Sequence, residues 1–363
     1  MSRARQHVRR AVGESQVKRV RLALVGLGNV GRRFLRLLLE SDDTLKEKYG
    51  LAFNLRVVVD SSVVAVSDDG FDLARLLKHK ECGLKLCKLP EFCEGLTLAG
   101  ALDRVACEVL LESSPLNLST GEPGLSNCRT GLEHGLHLVL ANKAPLVLAH
   151  EELNRLATDA GVGILYSATF CGGLPVLNIL RRDMVCGKIL SFRGIFNGTT
   201  NFILDEMLNG RGYADALRET QERGIAEADP SLDVGGWDTA AKLVIAVNSI
   251  GDTMITLADV NVSGIEDVQP DRLQQCRRDG SVLKLVATAE RIDTEWRFRV
   301  ELTPVPIASF LGGCSGWEMA VEIHSDIYGR TFHKLWEREP LPTAASMVRD
   351  AVHLATMGRQ ASL

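Results

Sequence analysis

Apolar positions along the chain fall into short unbroken runs separated by stretches of helical period. The first run, residues 19–25, leads directly into Gly26-Leu-Gly-Asn-Val-Gly31 and then into a long helix-like segment. Two further runs, 107–111 and 136–140, end in Glu-Ser-Ser-Pro and Ala-Asn-Lys. Strands buried on both faces need such unbroken runs, so the pattern predicts a parallel α/β sheet. Ligands of these sheets sit at the carboxyl ends of the strands, which places Ser113, Ser114, Asn142 and Lys143 beside the glycine loop. From residue 163 the pattern changes. Candidate strands around 189–196, 282–290, 296–302 and 318–324 follow one another closely and alternate polar with apolar side chains, predicting a second, α+β domain with a mostly antiparallel sheet. A last helical stretch, 343–357, is expected to return to the first domain. The expected organisation is a disordered tail at 1–17, a first domain at 18–162 completed by 340–363, and a second domain at 163–339.

The glycine loop carries the first chemical signal. Gly26 permits a tight turn, Gly28 lets the backbone approach a pyrophosphate, and Gly31 lets helix pack on strand, while the amides of Asn29 and Val30 open the helix toward an anion. Between a strand and a helix this motif predicts dinucleotide binding. An acid is expected at the end of the second strand to hold the adenosine ribose. Asp60 and Asp68 both close apolar runs; Asp60 is preferred because Ser61 and Ser62 supply a turn directly after it. Its distance from the glycines exceeds the usual ~20 residues, so the segment 32–50 has to absorb the excess.

Composition narrows the class. A chain of 363 residues with 45% apolar and 24% charged side chains reads as a soluble globular protein of about two domains. Its 42 bases against 46 acids leave no positive excess for nucleic-acid backbone binding. The uncharged run 160–180 is long enough to span a bilayer, but Gly161, Gly163, Gly172, Gly173 and Pro175 break it into a strand, a glycine turn and a helix start, so no membrane association is expected. Nine cysteines without a C-x-x-C pair read as reduced thiols in a reducing, cytoplasmic setting. Arg3, Arg5, Arg9 and Arg10 near the start fit a disordered tail, with an organellar transit segment as the alternative.

The densest chemistry lies in Glu227-Ala-Asp-Pro-Ser-Leu-Asp-Val-Gly-Gly-Trp-Asp-Thr-Ala-Ala-Lys242. Asp238 and Lys242, four apart, share one helix face after a loop of acids, an arrangement able to cradle a cation and a hydroxyl together. A solvated surface helix with an ordinary ion pair gives the same spacing. Upstream, Asn197-Gly-Thr-Thr-Asn201 offers amides and hydroxyls suited to a carboxylate, or simply a turn. His134 and His137 read as structural, and Trp237 as a packing residue.

Taken together, the glycine loop, Ala141-Asn-Lys143, Asn197-Gly-Thr-Thr-Asn201 and the 227–242 segment stand in the order and spacing of homoserine dehydrogenases, and the chain resembles that family over residues 19–355. The resemblance implies a Rossmann-type nucleotide domain joined to a substrate and dimerisation domain, and a homodimer. It also implies interconversion of aspartate β-semialdehyde and homoserine with NAD or NADP, a step of threonine and methionine biosynthesis. By the same resemblance Lys143 and Lys242 stand at the reacting centre. Glu227, Asp233 and Asp238 surround an amino-acid substrate, and Asn197, Gly198 and Thr199 lie near its carboxylate. Lys242, its pKa lowered by burial or by a neighbouring cation, is expected to accept the hydroxyl proton, with Lys143 orienting and Asp238 fixing it.

Three positions depart from the family. Its glycine-rich turn holds a monovalent cation such as Na+ on backbone carbonyls, here those of Phe170, Gly172 and Leu174, but Ser167 stands where a glutamate is usual. Ile225 replaces a tyrosine before the acid loop, and the segment 333–343 lacks the family's glycines. These departures keep two other readings open: a related dehydrogenase for another small amino-acid aldehyde or imine, and a nucleotide-binding regulatory protein without turnover.

Overall fold

The structure is a computed structural model that describes residues 17–61, 63–222, 229–293, 295–337 and 341–357. The first sheet has seven strands: β1 (Lys18–Val25), β2 (Leu51–Asp60), β3 (Val63–Val66), β4 (Phe92–Cys93), β5 (Val109–Glu112), β6 (His137–Leu140) and β7 (Ile164–Leu165). Their order is β4-β3-β2-β1-β5-β6-β7. From β2 through β7 neighbours run parallel, whereas β3 turns back against β2 and β4 against β3. The chain leaves β1 toward β2 and returns on the other side at β5, so a crevice opens at the carboxyl ends of these three strands. Register makes this concrete: Val25 is paired with Val59 on one side and with Glu112 on the other. Gly26, Asp60 and Ser113, each the next residue along, therefore meet at one edge.

Two helices, Asn29–Glu40 and Asp42–Tyr49, fill the space between the glycine loop and β2. They account for the long separation of Gly26 from Asp60. Gly50, left-handed at φ 62°, ends the second helix and starts β2.

The second sheet comprises β8 (Ile189–Ile195), β9 (Asn261–Val262), β10 (Ser281–Ile292), β11 (Glu295–Pro306), β12 (Glu318–Ser325) and β13 (Gly329–Trp336), in the order β13-β12-β8-β10-β11-β9. All pairs are antiparallel except β9 with β11. Four of these strands coincide with those expected from the sequence; β9 and β13 do not. β9 has only two residues, and β13 is an edge strand with no buried position, so neither leaves an apolar run. Helices Gly198–Leu208 and Trp237–Ile250 lie against this sheet, the second burying Leu243, Val244, Ile245 and Val247.

The final helix, Leu341–Thr356, packs on Asn29–Glu40, where Ala344, Met347 and Ala351 join Phe34, Leu35 and Leu38 in one buried cluster. A larger cluster runs from Leu110 and Leu138 in the first sheet through Phe170 and Phe196 to Ile245 and Val321 in the second, so both sheets share a core. Truncating a buried phenylalanine there costs about 3–5 kcal/mol. Among the described residues no helix is long and apolar enough to cross a membrane. All nine cysteines are free.

Candidate active site

The glycine loop shows which of its glycines face protein and which faces a ligand. Gly26 has φ 90°, donates to Val59 O at 2.8 Å, and would drive a Cβ into the Ser113 backbone; a Cβ on Gly31 would strike Gly26 O. At Gly28 an added Cβ meets no atom within 4 Å. That open cradle lies at the start of helix Asn29–Glu40, which has no side-chain cap, so first-turn amides including those of Asn29 and Val30 remain for an anion. Ser113 Oγ locks the loop, donating to Val25 O and Gly26 O at 2.9 Å each. A cavity of about 410 Å³ continues past Gly26, Asp60, Thr97, Ser114 and Asn127. These features fit a dinucleotide.

Asp60 stands at the cavity rim, one oxygen 3.5 Å from Leu27 N and the other accepting from Lys80 Nζ at 2.6 Å. Asp68 lies beyond β3, exposed and 3.8 Å from Arg104, away from the loop. Fully buried Glu112 accepts from Ser114 N at 2.8 Å, from Ser114 Oγ, and from Asn127 Nδ2 at 3.0 Å. Burial raises its pKa and these hydrogen bonds only partly offset that. Asn142 Nδ2 donates to Ser114 Oγ at 3.2 Å, tying the end of β6 to the cavity wall. Sequence reasoning missed Lys80, Asn127 and the role of Glu112, because nothing in a local pattern says that they converge.

One residue beyond Asn142, Lys143 opens helix Ala144–Asp159 and places its Nζ 3.3 Å from Asp238 Oδ1. Asp238, in the first turn of helix Trp237–Ile250, gives its other oxygen to Lys242 Nζ at 2.7 Å, one turn along. Lys242 also donates to Phe196 O at 2.7 Å. Asn197 caps helix Gly198–Leu208 by accepting from Thr200 N at 2.9 Å, which turns its Nδ2 toward Asp233 Oδ1 at 2.6 Å and Asp238 Oδ2 at 2.9 Å. Gly198 and Thr199 thus form a helix's first turn, where amides lack intrahelical partners. Asp233 sits on the short helix Ser231–Val234. Glu227 and Ile225 lie outside the described residues.

Burial by itself would raise the pKa of Asp238, yet Lys242 and Lys143 override it and hold the carboxyl well below its usual range. Asp233 goes the other way: burial, then repulsion from Asp238, push it up to about 6. Burial would lower Lys242, but Asp238 outweighs that and raises it. The expectation of a lysine with a lowered pKa is therefore corrected, because its nearest neighbour is an anion and not a second cation. Trp237, expected to pack, is 42% exposed at the start of its helix. His134 ends helix Gly124–Glu133 and bonds Thr130 O within it, and His137, the first residue of β6, accepts from Gly163 N.

The turn expected to hold a cation is tied to the last helix. Ser167 donates its N and Oγ to Asp350 at 2.7 and 2.8 Å, and Gly172 O accepts from Ser346 Oγ at 2.9 Å.

Comparison with known proteins agrees with this architecture. The homoserine dehydrogenase family model matches residues 175–352. The homoserine dehydrogenase of Methanocaldococcus jannaschii is 33% identical, covering 92% of this chain and 98% of that protein. The NAD(+)-dependent homoserine dehydrogenase of Pseudomonas canavaninivorans is 31% identical, with 92% and 96% covered. The crystal structure of homoserine dehydrogenase from Thermoplasma acidophilum superposes with a TM-score of 0.80 at 26% identity, covering 93% of this chain and all of that one. With a glycine cradle at one end of the crevice and two lysines on one buried aspartate at the other, the chain belongs to the homoserine dehydrogenase family.

Proposed function

We propose that this chain interconverts aspartate β-semialdehyde and L-homoserine with NAD or NADP. The observation that carries the reading is the Lys143–Asp238–Lys242 group, continuous through Asn142 and Ser114 with the nucleotide cavity. The dinucleotide, held by the Gly26–Gly31 loop with Ser113, Ser114, Asn142 and Asp60 around it, supplies or accepts the hydride when bound. As an aldehyde is reduced, negative charge grows on its oxygen, and ammonium donors fixed beforehand stabilise that state more than the ground state. Lys242, whose proton Asp238 retains, is the fixed donor. Lys143, with 19% of its side chain exposed against 12% for Lys242, is the one with a path to solvent for the proton released on oxidation. This exchanges the roles first assigned to the two lysines.

Asp233, together with Glu227, takes the substrate ammonium, and Asn197, Gly198 and Thr199 face its carboxylate. Recognition of both charged groups selects an amino acid over a plain hydroxy acid. A cytoplasmic homodimer is proposed: the free cysteines suit a reducing compartment, and edge strand β13 leaves Phe332 and Trp336 half exposed. The test is an initial-rate assay with homoserine and NAD+ or NADP+, and with aspartate semialdehyde and the reduced cofactors. Turnover is expected in both directions; failure of aspartate semialdehyde to oxidise either reduced cofactor overturns the reading.

A further inference from the structure

Lys284, on β10, keeps its ammonium group in the interior with only 2% of the residue exposed, and no step of the proposed reaction uses it. Its Nζ donates to Asn201 Oδ1 and Asp205 Oδ1 at 2.8 Å each. The other polar atoms of both partners engage the turn that leads into β12: Asp205 Oδ2 accepts from Gly316 N at 2.6 Å, and Asn201 Nδ2 donates to Gly316 O and Glu318 O at 2.9 and 3.2 Å. Asn201 and Asp205 lie one turn apart on helix Gly198–Leu208. Phe202 of this helix stacks on Trp317 with centroids 4.2 Å apart, and a side chain on Gly198 would crowd Trp317 O at 3.3 Å. The helix is thus held in register against β10 and this turn from Gly198 to Asp205.

A buried ion pair adds little net stability over apolar side chains of the same volume, since desolvation of both charges offsets their attraction. What it adds is direction: hydrogen bonds are narrow in length and angle, whereas apolar contact is non-directional. Direction matters at the start of this helix. The Asn197 cap is bound to the first turn through Thr200 N, so its Nδ2 travels with the helix, and that Nδ2 is shared between Asp233 at 2.6 Å and Asp238 at 2.9 Å. We infer that Lys284 and Asp205 are positioning residues, a buried ion pair that sets the helix so that Asn197 reaches both acids of the site. The consequence for turnover rests on the function proposed above; the placement of Asn197 does not.

The test removes both charges together, as Lys284→Met with Asp205→Leu, so that no unpaired charge stays buried, and compares this pair variant with Asn197→Ala and with all three substitutions combined. In the pair variant kcat/KM for homoserine should fall about tenfold or more, the cost of displacing a reacting group by a fraction of an ångström, with cofactor Kd unchanged. Because the pair acts through Asn197, adding it to Asn197→Ala should cost nothing further. Wild-type kcat/KM in the pair variant, or losses that multiply in the combined variant, overturns the inference. A second readout needs no substrate. Burial and Asp238 raise the pKa of Asp233 to about 6 against the opposing hydrogen bond from Asn197 and the charges of Lys242 and Lys143. Loss of the Asn197 bond should move that titration upward by the same amount in Asn197→Ala and in the pair variant, read from Tm against pH. A wild-type profile in the pair variant overturns the inference even where homoserine is not turned over, an outcome that by itself sinks only the proposed function. Where the pair variant does not fold, Asp205→Asn, which keeps the volume but only one acceptor oxygen, carries the same two comparisons with smaller expected losses, and the same results support or overturn.

Discussion

Lys143 and Lys242 hold opposite oxygens of a single carboxylate, that of Asp238, at 3.3 and 2.7 Å. One lysine follows a strand of the parallel sheet; the other lies on a helix covering the antiparallel sheet. Asp238 is therefore both the charge that keeps two buried ammonium groups compatible and the joint between the nucleotide end and the substrate end of the crevice.

Asp238→Asn should expose both functions. Removing one member of a buried ion group costs about 3–5 kcal/mol of stability, measurable by urea denaturation. Turnover should fall by roughly two to three orders of magnitude, comparable to loss of a preorganised donor. The alkaline limb of kcat should also move to lower pH. Asp238 raises the folded pKa of Lys242, so the stabilisation from this pair is complete below the ordinary lysine range and is lost only as pH rises through the raised value. Without Asp238 that loss begins earlier. An unshifted alkaline limb would separate Lys242 from turnover.

Asp233 provides a second pH signature. Its folded pKa lies near 6 against an ordinary 3.8, so between these values the folded protein keeps a proton that the unfolded chain has released. Stability from this group is then lost as pH rises through that window. Affinity for a substrate ammonium should change in the opposite sense, KM for homoserine falling as Asp233 ionises. Asp233→Asn should raise KM and flatten its pH dependence between 4 and 7. A wild-type KM independent of pH in this range would place the ammonium elsewhere.

The strand, glycine loop and helix are legible in the sequence because their determinants are local: an apolar run, then glycines at fixed spacing. The i,i+4 placement of Asp238 and Lys242 is legible for the same reason. Their meeting with Lys143 is not, since it depends on how the two sheets share a core. Lys80 and Glu337 are invisible for a related reason: each is an ordinary charged residue until tertiary structure brings it against Asp60 or Gly172. The pKa direction at Lys242 was not legible because burial lowers it while Asp238 raises it, and only coordinates give the 2.7 Å separation at which Asp238 prevails.

Two glycines of the loop, Gly28 and Gly31, should respond differently to substitution. The Cβ of Gly28→Val meets no atom within 4 Å, so Tm should change by no more than a few degrees. Cofactor binding should be lost, because the added carbons fill the space of the pyrophosphate. Gly31→Ala drives a methyl group into Gly26 O and should destabilise the fold itself. Calorimetric titration with NAD+ and NADP+ alongside thermal unfolding distinguishes the two; cofactor binding retained by a folded Gly28→Val would remove the loop from the site.

Cofactor preference should turn on the Asp60–Lys80 pair. A carboxylate at the end of β2 suits a ribose 2′-hydroxyl and repels a 2′-phosphate. Lys80, 2.6 Å from that carboxylate, neutralises it and brings a cation to the same position. Arg32 and Arg33 do not compete for this role, because they turn back onto Gly28 O, Asn29 Oδ1 and Asn29 O at 3.1–3.3 Å. Lys80→Ala should therefore raise the ratio of kcat/KM for NAD+ over NADP+ by about tenfold, equivalent to roughly 1.4 kcal/mol. Asp60→Ser should move the ratio the opposite way by leaving Lys80 free for the phosphate. Initial rates with homoserine and both cofactors measure the ratio directly, and a value unchanged in both variants would assign specificity to some other part of the crevice.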